Sequence, residues 1–357
     1  IITRHLLSLK LKAEYLDNLP VHFVLCTERT GSSLFSLMMN LHPNILSPSE
    51  EPFALYFWRK YRNKTRWTEK DIANYVNSFF LICEKNTDLY FSKKDVFLSN
   101  LQENKEILNF QRIIKITYLH FLDVKDKSQI SCIIDKQIKY FFHLNMLQQI
   151  FPSAKYVVLT RDVRDNVVSK SNRKLNWNQN PFFLAALWND TYCNIRNLKA
   201  DNFIIISYES LITNLDATLK TVCEWFGITF HPKMKETDGV YDAFLNQKRN
   251  DVDPDFLIRL QNFHSGLSQL PNSNKIGQYK NVLDTKTIQK IESICGENLK
   301  QFGYQIETTS FKKTSFEIKY YNILAKIYRR YLLFIYFQIP LSLKLTIKKW
   351  RGKNPAV

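Results

Sequence analysis

Two short stretches constrain this chain more than anything else in it. The first is Cys26-Thr27-Glu28-Arg29-Thr30-Gly31-Ser32-Ser33-Leu34, directly after the apolar run Val21–Leu25. The second is Thr160-Arg161-Asp162-Val163-Arg164-Asp165-Asn166-Val167-Val168-Ser169, directly after Tyr156-Val157-Val158-Leu159. Each reads as a buried strand, a tight turn and the start of a helix. Such a turn aims backbone N–H groups and the positive end of a helix dipole at one spot, which suits an anion. Two such spots point to a ligand with phosphate-like groups at both ends.

The chain has 357 residues, 45% of them hydrophobic, enough to bury a full core. Its net charge of +17 is uneven. From Phe311 to Val357 there are eleven Lys and Arg against one acid, Glu317, so this tail holds +10. The remaining +7 is an excess that an anion site partly explains, and no groove-reading motif argues for nucleic acid. The six cysteines (Cys26, Cys83, Cys132, Cys193, Cys223, Cys295) form neither a CxxC pair nor a metal-ligand cluster, so no metal is expected. Small buried thiols in a reducing, cytoplasmic compartment are the expectation, although an even number also allows disulfides. Residues 1–18 are too mixed for a signal peptide, and the chain opens on Ile1 rather than Met, as a chain with a trimmed leader would.

Strands are predicted at 21–26, Ser131–Asp135, Lys155–Thr160 and Asn202–Ser207, with helices over Leu34–Leu41, Phe141–Ile150 and Leu211–Phe226, the last stopped by Gly227. Residues 44–130 read as a mostly helical, acceptor-facing insertion with loops at Asn63–Thr65 and Glu84–Asp88. Alternating strands and helices predict an α/β fold: a P-loop-like parallel sheet flanked by helices. The expected organisation is one α/β domain over 1–310 and a basic, aromatic helical tail over 311–357. Ligands of such sheets bind outside the carboxyl ends of the strands, where both turns sit.

In the first turn Gly31 lets the backbone approach a phosphate, Thr30, Ser32 and Ser33 add hydroxyls, and Arg29 adds a permanent charge. A plain strand-turn-helix with capping hydroxyls is the bland alternative. The GxxxxGK[ST] loop and Mg²⁺ ligands of a nucleotide kinase are missing. In the second turn Arg161, Ser169 and Arg173 make a reasonable phosphate site, Ser169 and Arg173 sharing a helix face. A solvated basic helix face is the alternative there.

Together the turns resemble the sulfotransferase family that uses 3′-phosphoadenosine-5′-phosphosulfate (PAPS). The first resembles the arginine-bearing 5′-phosphosulfate loop (R-[ST]-G-[ST]-[ST]) of tyrosylprotein and many bacterial and carbohydrate sulfotransferases, and the second resembles the family's R-D-x-R-D-x-x-x-S 3′-phosphate motif. Asp135-Lys136 resembles its "DK-P" segment, though Gln137-Ile138 replaces the proline. Phe151–Tyr156 resembles "FP-AK-", and Tyr208-Glu209-Ser210-Leu211 resembles "YE-L", whose tyrosine lies near the adenine. Asn274–Tyr279 resembles the late "IG-W" loop over the nucleotide, with Tyr279 for the tryptophan. The resemblance implies cofactor binding by Arg29, Thr30, Gly31, Ser32, Ser33, Arg161, Ser169, Arg173, Tyr208, Lys275, Ile276 and Gly277, with PAP (3′-phosphoadenosine-5′-phosphate) as product. Arg29 and Lys136 would stabilise the transferring group.

For the general base, the tyrosylprotein-like branch implies a glutamate shortly after a His-Pro. Here His42-Pro43 is followed by Ser49-Glu50-Glu51-Pro52, making Glu50 the first candidate and Glu51 the second, with His120 and His143 as rivals. These acids could equally be exposed first-turn residues of a helix starting near Pro52. In the tail, Tyr331–Leu343 is too short to span a bilayer, which needs roughly 20 residues. Basic and aromatic residues suit lying on the inner face of an anionic membrane; packing on the core, or on a second copy in a homodimer, fits as well. The tail points to a lipophilic acceptor alcohol such as a sterol or lipid. A tyrosyl-peptide or carbohydrate acceptor, and a non-catalytic nucleotide-binding module, are the alternatives.

Overall fold

The computed structural model describes residues 11–83, 90–121, 129–172, 179–247, 257–258, 261, 267, 273–307, 316–329 and 335–353. Five parallel strands form one sheet: β1 (Val21–Leu25), β2 (Ile45–Leu46), β3 (Cys132–Gln137), β4 (Tyr156–Thr160) and β5 (Phe203–Ser207), in the order β2-β3-β1-β4-β5. The register sets Phe23 of β1 beside Asp135 of β3 and Tyr156 of β4. Strands β1, β3 and β4 are buried along their whole length because helices cover both faces; β1 and β4 are mostly apolar, whereas β3 is apolar over Cys132–Ile134 and ends in the buried polar residues Asp135, Lys136 and Gln137.

Side chains alternate between two cores, as the pleat requires. Val21, Phe23, Leu25, Ile133, Tyr156 and Val158 enter the larger core, whereas Val24, Cys26, Ile134, Val157 and Leu159 enter the smaller. Helices Pro181–Tyr192 and Thr285–Gln301 cover the first face; helices Ser32–Leu41 and Leu215–Phe226 cover the second.

The four predicted strands are present, and the structure adds β2, whose two residues pair with Cys132 and Ile133 and are too few to carry a pattern. The helix after β1 begins at Ser32 rather than Leu34 because Gly31 is its N-cap. Residues 140–142 form a 3₁₀ turn, and the helix predicted from Phe141 starts at Leu144. The segment predicted as one helix over Leu211–Phe226 is two helices, Tyr208–Thr213 and Leu215–Phe226, separated at Asn214 and ended by Gly227 at φ 73°.

Residues 44–130 contain helices Phe53–Tyr61, Glu69–Ile82, Lys94–Glu103 and Phe110–Leu119. Their aromatic rings, among them Phe53, Phe79, Phe91, Phe97 and Tyr118, pack edge-to-face and tilted at 4.7–5.8 Å. Asn63–Thr65 is non-helical as predicted, while Glu84–Asp88 lies outside the described residues.

The described part of the tail packs on the core. Helix Phe316–Ile327 lies along helix Pro181–Tyr192, with Phe182–Tyr321 and Phe183–Tyr328 ring contacts at 5.8 and 5.9 Å. Phe337, fully buried, stacks on Tyr56 at 5.2 Å, and Arg59 donates to the Gln338 carbonyl. Burying a ring such as Phe337 stabilises by roughly 1.5–3 kcal/mol. Helix Leu341–Lys353 completes the tail, and no helix among the described residues is long and apolar enough to cross a membrane.

Candidate active site

The chain leaves β1 at Cys26 and turns sharply. Thr30 Oγ1 donates to the Thr27 carbonyl at 2.9 Å, closing the turn. Arg29 adopts φ 65°, the one positive φ at a non-glycine residue among the described residues, and Gly31 adopts φ 77°. A non-glycine residue in this region marks local strain, which persists where surrounding contacts impose it. Two contacts impose it: the Arg29 side chain reaches over to donate from Nε to Ser169 Oγ at 3.1 Å, and its carbonyl accepts from Arg161 Nη1 at 3.2 Å. Helix Ser32–Leu41 then presents its first-turn amides, which have no intrahelical acceptor, toward the same side.

The second turn follows β4. Asp162 caps helix Val163–Ser171, accepting from Arg164 N at 2.9 Å. Arg161 is buried, its Nη2 donating to the Lys275 carbonyl at 2.8 Å. Its Nε is buried without a hydrogen-bond partner among the described residues. Arg164, in contrast, is locked into the protein: it pairs with Asp162 and Glu292 at 2.6 Å each and lies 4.3 Å over the Tyr279 ring. Of the two arginines in the R-D-x-R-D run, Arg161 therefore faces the turns and Arg164 is structural.

Tyr208, the first residue after β5, joins the two turns. Its ring lies against Gly31, so closely that a Cβ there would meet Tyr208 Cδ2 at 2.6 Å, and the Arg161 guanidinium sits 4.4 Å above it. The late loop closes the arrangement, since Asp165 accepts from Gly277 N at 2.7 Å and Tyr279 N at 3.0 Å. Burial raises the Asp165 pKa, and the two amides oppose that shift. Arg29, Gly31, Arg161, Ser169, Tyr208, Lys275 and Gly277 are thus gathered at one end of the sheet; Thr30, Ser32, Ser33 and Ile276 belong to the same turns. Arg173 lies outside the described residues.

At the carboxyl end of β3, neighbouring residues do different work. Asp135 is buried and accepts from Tyr118 Oη at 2.6 Å, Gln137 Nε2 at 3.0 Å and Tyr140 Oη; burial pushes its carboxyl up to about 6. Lys136 donates from Nζ to Glu50 Oε1. Burial pushes the Lys136 ammonium down to about 8, a shift that Cys26 partly opposes. Glu50 is exposed at its outer edge, whereas Glu51 is turned toward the Cys83 thiol and Lys139. Both precede helix Phe53–Tyr61, capped by Pro52. The rival histidines are packed into the core. The ring nitrogens of His120 lie 3.1 and 3.2 Å from Ser92 Oγ and Asn100 Oδ1, and His143, pushed down to about 4 by burial, meets the Phe337 ring at 4.5 Å.

Several residues at this end carry no signal in the sequence. Glu28 pairs with the fully buried Lys170 at 3.1 Å, and its carbonyl accepts from Asn166 Nδ2 at 2.8 Å. Burial opposes ionisation of Glu28, but the Lys170 ammonium, then the Arg329 guanidinium of the tail, outweigh it and hold the carboxyl well below its ordinary range. Arg329 is itself buried and lies 5.1 Å over the Phe142 ring. Glu28 lies within the first stretch and Lys170 directly follows the second, but a charged residue at either place reads as solvated, so position alone does not mark them.

A family model described as "Sulfotransferase family" matches residues 20–232. Among solved structures, the sulfotransferase domain of the Synechococcus PCC 7002 olefin synthase is 18% identical, with a TM-score of 0.50, covering 80% of this chain and 95% of that one. The sulfotransferase domain of the curacin biosynthetic pathway is 19% identical, with a TM-score of 0.43 and coverage of 81% and 99%. Retinol dehydratase in complex with androsterone and the inactive cofactor PAP is 13% identical, with a TM-score of 0.38 and coverage of 83% and 88%. None of the curated proteins matches the chain. With the family model spanning more than half of the chain, over the sheet and both anion-facing turns, this protein belongs to the sulfotransferase family.

Proposed function

We propose that this enzyme transfers the sulfuryl group of PAPS to the hydroxyl of a lipophilic alcohol, a sterol or lipid, with Glu50 as general base. The observation that carries the base is the contact of Lys136 Nζ with Glu50 at the carboxyl end of β3, on the side of the sheet where both turns converge. The residues present fit the nucleotide. Arg161 keeps a buried, unpartnered Nε beside the second turn, as a guanidinium awaiting an anion would.

In this reading Arg29 and the Thr30–Ser33 amides and hydroxyls hold the 5′ end, Arg161, Ser169 and Arg173 hold the 3′-phosphate, and Tyr208 with Lys275–Gly277 closes the nucleotide side. The acceptor oxygen forms a bond to sulfur as the sulfur–oxygen bond to the 5′-phosphate breaks. The hydroxyl proton passes to the Glu50 carboxylate, and the leaving charge stays on the phosphate. Lys136 stabilises the oxygens of the group in flight. It also orients the base, since Lys136 Nζ donates to Glu50 Oε1.

Calorimetry with PAP against ATP and Mg²⁺ tests the nucleotide, and labelled sulfate offered to sterols, lipids, phenols, tyrosine peptides and sugars tests the acceptor. Glu50→Gln is expected to lower turnover by about 10²–10⁴ with PAP affinity retained. Near-normal turnover in both Glu50→Gln and Glu51→Gln removes the glutamate base.

A further inference from the structure

Helix Phe316–Ile327 buries one side and leaves the other without a partner among the described residues. Ile318 and Ala325 face the core. Phe316, Tyr320, Ile323 and Ile327 stand 85, 51, 57 and 49% exposed. Their spacings of four, three and four residues put them in a single strip about 60° wide along the helix. Isolated apolar residues on a surface need no explanation, but a contiguous stripe does.

The charges around the stripe are of one sign. Lys319 and Lys326 are exposed and lie along one edge of it. The only acid of this helix, Glu317, is taken up by Lys290 at 2.6 Å. The last helix repeats the arrangement: Leu343 and Trp350, seven residues apart and so on one face, are 48 and 52% exposed, with Lys349 exposed beside Trp350. A second copy of the chain laid along the same seam would bring Lys319 and Lys326 against their own counterparts, with no free acid on the helix to offset them. A surface of anionic headgroups over an apolar interior meets both the stripe and its cationic edge.

We propose that Phe316, Tyr320, Ile323 and Ile327 form a face that lies in the interface of an anionic lipid bilayer, held there by Lys319 and Lys326. The face does not depend on the nucleotide reading, because PAP binding is measured without lipid.

The test uses the full chain with vesicles of phosphatidylcholine alone or containing phosphatidylserine, sedimented at low salt and at about 0.5 M salt, where surface charges are screened. The protein is expected to sediment with phosphatidylserine vesicles and to be released by salt. Lys319→Gln with Lys326→Gln should weaken that binding roughly 20- to 30-fold, about fivefold for each charge. Ile323→Asn, and Tyr320→Ser as an independent variant, should each weaken it roughly tenfold or more. All of these side chains are exposed, so melting temperature and PAP affinity should be unchanged. Failure to prefer anionic vesicles, or variants that bind as the parent does, overturns the proposal. A concentration-dependent dimer that Ile323→Asn dissolves, with no vesicle binding, overturns it in favour of self-association.

Discussion

Gly31→Ala probes how tightly the two turns are coupled. Gly31 sits at φ 77°, where an L-residue costs about 1–2 kcal/mol. The added Cβ would also stand 2.6 Å from Tyr208 Cδ2 and 3.1 Å from Cε2, against ordinary carbon contacts of about 3.5–4.0 Å. The ring must therefore move by roughly 1 Å. It is not free to do so, since the Arg161 guanidinium lies 4.4 Å over it and is bonded to the Arg29 and Lys275 carbonyls. Moving the ring gives up a cation–π contact of about 0.5–2 kcal/mol. The whole penalty is then about 2–4 kcal/mol, of which the backbone share is about half. In a Tyr208→Ala background the steric share vanishes and only about 1–2 kcal/mol remains. Urea unfolding of the four proteins of this double-mutant cycle should show a coupling of about 1–2 kcal/mol between positions 31 and 208. PAP affinity should fall in Gly31→Ala by the same ordering. An identical Gly31→Ala penalty in both backgrounds refutes the contact-based argument and leaves only the backbone.

Asp165→Asn leaves a single oxygen to accept from Gly277 N and Tyr279 N, now without charge, so amide exchange of residues 277–279 should accelerate and PAP affinity fall roughly tenfold; unchanged exchange would mean the late loop is held by something else. His22 and His143 are both pushed down to about 4 by burial, so the unfolded chain takes up protons first and stability is lost as pH falls from about 6.5 to 4, by about 3 kcal/mol for each. Asp135, raised to about 6 by burial, acts in the opposite sense over the pH range from about 6 to 4 and offsets part of that loss. Urea midpoints measured from pH 7 to pH 4 should therefore decline, and His22→Gln combined with His143→Gln should flatten the decline; an unchanged slope refutes the assignment.

Much of the sheet was legible because a parallel strand covered on both faces reads as a mostly apolar run, as β1 and β4 do and as the Cys132–Ile134 half of β3 does. Strand β2 was not, since two residues carry no period. The residues of both turns that gather at one end of the sheet were legible as local motifs. The contacts that fuse the turns were not: Arg29 on Ser169 and Tyr208 on Gly31 are tertiary, and no local spacing encodes them. Glu28 and Asp165 lay within the motifs and Lys170 directly after the second, yet a charged residue in a turn reads as solvated until the fold buries its partner. Arg329 was hidden differently, because a strongly basic tail invites a surface reading for each of its charges, and this one is buried near Glu28.

The end of β3 shows how the insertion is held to the sheet beside the two turns. Asp135 and Lys136 are adjacent on a strand, so their side chains leave on opposite faces. Asp135 enters the larger core and takes a hydrogen bond from Tyr118, near the end of the insertion, on helix Phe110–Leu119. Lys136 leaves on the other side and meets Glu50, near the insertion's beginning. One strand end thus grips the insertion close to its entry and close to its exit. Sliding the insertion over the sheet would strand a buried carboxylate or hydroxyl without its partner, at about 1–3 kcal/mol for each group, or pull Glu50 away from Lys136. The position of the insertion is therefore coupled to the position of the two turns, and side chains on the insertion can be changed more readily than the insertion can be moved.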